Sequence, residues 1–94
     1  MSSGIRAWYQ RRRLEGELTG LWCAALRLER IGRTQRFLDL GGDSVAAVRL
    51  IGAVEERLGV SLSVRVLMET QTIAGMAEHL QRRSRAERGP SHDE

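Results

Sequence analysis

The chain has 94 residues, 41% of them apolar, with no apolar run long enough to span a membrane, so it makes one small domain with a modest core. The start MSSGIRAWYQRRR lacks an apolar signal core, so secretion is not expected, and a single cysteine cannot close an internal disulfide, which agrees with a reducing compartment; the expected location is the cytoplasm. All 15 cations are arginines and the formal charge is +3, but Arg6, Arg11, Arg12 and Arg13 precede the first acid, Glu15; the remainder carries 11 arginines against 12 acids, so the basicity belongs to an arm and the body is nearly neutral.

Residues 1–13 read as a flexible basic N-terminal arm in which Ile5, Trp8 and Tyr9 pack locally. From Leu14 the apolar residues fall at 14, 18, 21, 22, 25, 26 and 28, a helical stripe that predicts the first main helix. Gly32 and the polar run Arg33–Arg36 break the pattern and open a long loop, which Phe37, Leu38 and Leu40 anchor on the core. A second helix is expected from Ser44 to Leu58, stopped by Gly59, with Ala47, Leu50, Ile51, Val54 and Leu58 on its inner face. Ser61–Val64 looks extended, and Arg65–Glu69 makes one helical turn. Thr72 caps a last helix whose buried face is Ile73, Met76, Ala77 and Leu80; Gly75 stands where a glutamate would complete a capping box. The segment 83–94 has no periodicity and reads as a disordered C-terminal tail, leaving 14–82 as the domain. The expected fold is all-α: three main helices, one short helix and a long first loop.

One hydroxyl stands out by its position. In FLDLGGDSV an apolar run stops at Gly41-Gly42-Asp43, and Ser44 opens the second helix. Asp43 can accept from free backbone N–H groups at the helix start, and an anion on Ser44 would sit at the positive end of the helix. Gly41 and Gly42 remove side-chain bulk beside it, giving a partner access to the backbone. Turn-and-cap chemistry alone accounts for Gly-Gly-Asp-Ser equally well. The outer face of the helix favours more than a cap: Val45, Ala46, Arg49, Gly52, Ala53 and Glu56 project away from the expected core, with Val48 at the boundary. So small and apolar a surface beside a reactive serine suits protein docking, with Val45, Ala46, Val48 and Arg49 as the contact residues.

The segment from LxxLW (Leu18–Trp22) through IG (31–32), FLDLGGDS (37–44), RLGVSLSVRVLME (57–69) and TIAGMAEHL (72–80) resembles the peptidyl carrier proteins of nonribosomal peptide synthesis, in order and in spacing. The resemblance implies a four-helix carrier bundle and a 4′-phosphopantetheine arm attached to Ser44, supported by Gly41, Gly42 and Asp43. It also implies a non-catalytic role, in which the arm's thiol holds an aminoacyl or peptidyl group as a thioester. The partners implied are a phosphopantetheinyl transferase, an adenylation enzyme, and condensation or tailoring enzymes of a specialised-metabolite or antibiotic pathway. Three positions depart from the common pattern: Asp43 where histidine is frequent, Phe37-Leu38 where two aromatics are usual, and Gln71 where proline is frequent. A chain starting at Met1 with no room for an adenylation or condensation domain reads as a free-standing, type II carrier.

Two other readings stand beside this one. Fatty-acid or polyketide acyl carriers share the motif, but usually with a strongly acidic second helix, whereas Arg49 and Arg57 here balance Glu55 and Glu56. A small DNA-binding module would use the arginine arm, but its reading helix should present basic and polar groups, not Val45, Ala46, Gly52 and Ala53. Cys23 has no histidine assignable beside it and His79 and His92 make no metal spacing, so neither a nucleophile nor a metal site is expected. Trp8, Trp22, Met68 and Met76 read as packing residues. The protein is expected to be a monomer that binds neither nucleic acid nor membrane.

Overall fold

The structure is a computed structural model that describes the backbone of residues 3–87 and the side chains of residues 8–84. Four helices follow in chain order: α1 (Ser3–Leu26), α2 (Ser44–Leu58), α3 (Val64–Thr70) and α4 (Ile73–Glu87). No strand occurs among the described residues, and no helix is long and apolar enough to cross a membrane.

α1 begins eleven residues before the apolar stripe does, so residues 3–13 are helical and not a loosely ordered arm. The physical reason lies in what the stripe reports. A periodic apolar face marks burial, and Trp8, Tyr9, Arg11, Arg12 and Arg13 are exposed. Arginine, alanine, leucine and glutamine nevertheless favour helix by intrinsic propensity. Trp8 and Tyr9 do pack locally, ring edge to face at 5.0 Å, and the Arg12 guanidinium lies 5.1 Å from the Trp8 ring centre. α4 likewise runs five residues past the expected end at Arg82, through the straight-chain and alanine residues up to Glu87. The remainder of the expected tail, residues 88–94, lies outside the described residues.

The caps are local and fall where the side chains permit. Asp43 Oδ1 accepts from Ala46 N at 2.9 Å, and Gly59, at φ 70°, ends α2 by donating to the Glu55 carbonyl. The stretch expected to be extended includes a cap: Ser63 Oγ accepts from Val66 N at 3.1 Å and starts α3 at Val64. Thr72 Oγ1 accepts from Gly75 N at 2.9 Å at the start of α4. A side chain at Gly75 would bring its Cβ to 2.9 Å from the Thr70 carbonyl, so a glutamate has no room there and the capping box is closed to this sequence.

The core is a continuous cluster. Leu18, Trp22 and Ala25 of α1 meet Ala46, Ala47, Leu50 and Val54 of α2, Leu67 of α3, and Ile73, Met76, Ala77 and Leu80 of α4. Arg11 of α1 donates to Gln81 of α4 at 3.2 Å, and Glu15 holds Arg33, whose carbonyl accepts from Ala74 N at 2.9 Å. α1 and α4 therefore run antiparallel. Leu28, expected to continue the α1 stripe, lies beyond the helix end and is exposed.

Candidate functional site

The long first loop, residues 27–43, reaches α2 along a track fixed at three places. The Arg33 guanidinium makes a two-pronged ion pair with Glu15, Nε to Oε1 at 2.7 Å and Nη2 to Oε2 at 2.8 Å. This pair holds the largely buried Glu15 carboxyl below its usual range: the Arg33 hydrogen bond outweighs the opposing effect of burial, with added attraction from Arg33, Arg11 and Arg12. The Arg33 carbonyl takes the first-turn N–H of Ala74. Finally, Phe37 N donates to the Gln71 carbonyl at 2.7 Å and Leu38 N to the Gln71 side-chain oxygen at 3.3 Å.

Phe37 is the plug of this arrangement. Its ring is fully buried and stands edge-on to Trp22, with centroids 5.7 Å apart at 88°. Its carbonyl accepts from both Leu40 N at 3.2 Å and Gly42 N at 3.0 Å, winding residues 37–42 into a tight turn. Gly42 lies flat against the ring, and a Cβ there would overlap the Phe37 atoms Cε2 and Cδ2. The missing side chain at Gly42 therefore serves the inside of the turn. Gly41, at φ 86° with open space around it, is the glycine that faces outward. Leu38 does not anchor the loop as expected: it is 53% exposed, while Leu40 is half-buried.

The turn delivers Ser44 as the first residue of α2, exposed to solvent. Ala46 N is taken by the Asp43 carboxylate and Ala47 N by the Asp43 carbonyl. The N–H groups of Ser44 and Val45 meet no protein acceptor among the described residues, and no side chain hydrogen-bonds Ser44 Oγ. A free hydroxyl thus stands beside two free amide donors at the positive end of a 15-residue helix.

Of the expected contact residues, Val45 is 56% and Val48 66% exposed, and Arg49 is exposed with them. Ala46 is a correction: it is 5% exposed and belongs to the core. The inner face of α2 is centred on Ala46, Ala47, Leu50 and Val54, while Ile51 and Leu58 are only half-buried. Packing against both α1 and α3 rotates the buried face toward the Ala46–Leu50–Val54 row, an effect that α2's own sequence does not encode. Farther along, Val48, Arg49, Gly52, Ala53, Glu55 and Glu56 line a shallow groove open to solvent. Cys23 is partly buried against the core, and the described residues hold no cluster of His, Cys, Asp and Glu fit for a metal ion.

Residues 16–80, the ordered body carrying this turn, match the family described as phosphopantetheine attachment site. The chain belongs to that family. Its members carry covalently attached 4′-phosphopantetheine. Among relatives, a dimodular nonribosomal peptide synthase of Bacillus subtilis is 47% identical over 64 residues, 68% of this chain. Malpinin synthetase of Mortierella alpina is 45% identical over 67 residues, 71% of this chain. The chain spans only 3% and 1% of those synthetases' lengths. Among solved structures, BlmI, a type-II acyl carrier protein from Streptomyces verticillus involved in bleomycin biosynthesis, superposes with a TM-score of 0.76 at 37% identity, covering 86% of this chain and 95% of its own. An active-site mutant of a peptidyl carrier protein gives 0.72 at 28% identity, covering 77% and 80%. The four-helix carrier fold expected from the resemblance is the fold observed.

The carrier-family reading gave no structural role to three contributors: Gln71, the Glu15–Arg33 pair and the seat of Gly42 on Phe37. Gln71 was visible only as a departure from proline. At φ 60°, with its N–H donated to the Leu67 carbonyl at 2.8 Å, the position excludes proline on both counts.

Proposed function

We propose that Ser44 is the attachment point of the phosphopantetheine arm, and that the protein carries an aminoacyl or peptidyl group for nonribosomal peptide synthesis or a related specialised-metabolite pathway. The observation that carries this reading is the exposed, unbonded Ser44 hydroxyl at the start of α2, inside the segment that matches the family. The site fits a phosphodiester. Two free N–H donors and the helix dipole favour an anion there, Gly41 puts no side chain on the outer side of the turn, and the Asp43 carboxylate is already engaged as the cap. When attached, the group supplies a terminal thiol that holds an acyl cargo.

No side chain hydrogen-bonds Ser44 Oγ among the described residues, so the hydroxyl stands open to the base of the enzyme that modifies it. The chain then acts as a covalent cosubstrate of a phosphopantetheinyl transferase, an adenylation enzyme and condensation or tailoring enzymes. Val45, Val48 and Arg49 form part of the surface they meet, with 14–82 as the working domain. The likeness to BlmI, described as a type-II acyl carrier protein, supports a type II role, and the peptide-synthetase relatives support an aminoacyl over a fatty-acyl cargo.

Intact mass after incubation with coenzyme A, magnesium and a broad-specificity transferase tests the proposal. One phosphopantetheine should add to the wild type and none to Ser44→Ala, whose helical circular dichroism should be unchanged. An unmodified wild type with several competent transferases would overturn it. A DNA-binding role predicts instead a steep salt dependence of duplex binding, which a titration would reveal.

A further inference from the structure

We propose that Gln71 is a positioning residue for the modification of Ser44, acting as a latch between the end of α3 and the turn that presents the serine. This rests on Ser44 being the modified residue. Gln71 is buried, and every polar atom it has is engaged. Its N–H ends α3 on the Leu67 carbonyl at 2.8 Å, and its carbonyl accepts from Phe37 N at 2.7 Å. Its side-chain amide spans the junction, Nε2 donating to the Met68 carbonyl at 3.2 Å and Oε1 accepting from Leu38 N at 3.3 Å.

From there the order propagates along the chain. Phe37 and Leu38, the two residues that Gln71 holds, begin the turn; the Phe37 carbonyl binds Gly42 N, and Asp43 caps α2 with Ser44 as its first residue. The backbone argues that the side chain is there for a purpose. At φ 60° glycine is the residue of least strain, and an L side chain is accommodated only against steric resistance. The side chain at this position supplies something glycine lacks, the bridge to Leu38.

Two variants separate a latch from simple packing. Gln71→Gly keeps the backbone conformation and removes the bridge. Its melting temperature should stay within a few degrees of wild type, and amide exchange at Leu38 should accelerate. The kcat/KM for phosphopantetheine transfer from coenzyme A should fall about tenfold, through KM for the carrier, the scale of one net hydrogen bond. Gln71→Glu offers the same donor and acceptor when protonated but sets a bare oxygen against the Met68 carbonyl when ionised. Its Leu38 amide resonance should move to the wild-type position as pH falls through the carboxyl's titration and leave it as pH rises.

Unchanged kcat/KM in Gln71→Gly, or a Leu38 resonance in Gln71→Glu that ignores the carboxyl's titration, overturns the latch. If Gln71→Gly does not fold, the kcat/KM of Gln71→Glu relative to wild type decides in its place: it should fall as pH rises through the carboxyl's titration together with the Leu38 resonance, and a ratio that stays constant overturns the latch. If the wild type itself is never modified, the assignment of Ser44 fails, and the Leu38 resonance still decides whether Gln71 fastens the turn.

Discussion

Val45 and Ala46 are neighbours on one turn of α2, and they bury in opposite directions: 56% exposed against 5%. The difference sets a sharp expectation. Val45→Asp should change unfolding free energy by less than about 0.5 kcal/mol, as exposed substitutions do, while slowing acyl loading or transfer. Ala46→Asp puts an unpaired charge into the core and should destabilise by several kcal/mol in urea unfolding. Equal stability losses for the two would refute the orientation of α2. Gly42 makes a second case at this scale. Gly42→Ala must displace the Phe37 ring from its place beside Trp22, so it should cost about 1–3 kcal/mol, the range of overpacked cores. No property of the dipeptide Gly41-Gly42 says which glycine faces a ring, because the ring comes to it through the folded turn.

At the scale of elements, the helix caps are the part most directly written in the residues. Asp43, Gly59 and Thr72 each cap within three or four positions of their own location, so their roles follow from local chemistry. Asp43→Ala should therefore lower stability by about 1 kcal/mol, measured by thermal or urea unfolding, because Ala46 N loses its acceptor. The start of α1 and the end of α4 were less legible. Apolar periodicity finds a helix where it is buried; both helices run past the apolar stripe into arginine-rich sequence, and in α1 the described residues Trp8–Arg13 are exposed. There, intrinsic propensity is the operative signal.

Across the whole molecule, the Glu15–Arg33 pair pins a long loop to the middle of α1, and it ties stability to pH. Contact with Arg33 depresses the Glu15 pKa in the folded state. The stabilisation is thus fully present above the unfolded carboxyl's value of about 4.3, and is lost as pH falls through the lower folded value. Glu15→Gln should melt below wild type at pH 7, and the gap should close as acid protonates Glu15 in the wild type. A gap that stayed constant with pH would show that the pair does not link the loop to proton binding. More than half of the Arg33 side chain remains exposed to solvent, which limits the size of the effect.

The sequence by itself determined the all-α class, the bounds of α2, the caps at Asp43, Gly59 and Thr72 and the family motif, because each depends on residues a few positions apart or on the order of short motifs. Tertiary structure alone decided which side of α2 is buried, which glycine seats against Phe37, and that Glu15 and Gln71 hold the loop that presents Ser44. The contacts of Glu15 and Gln71 join residues 18 to 34 positions apart, and even the five-residue closure of Gly42 on Phe37 depends on a ring held in the core; such pairs are selected by how the elements pack, not by any local pattern.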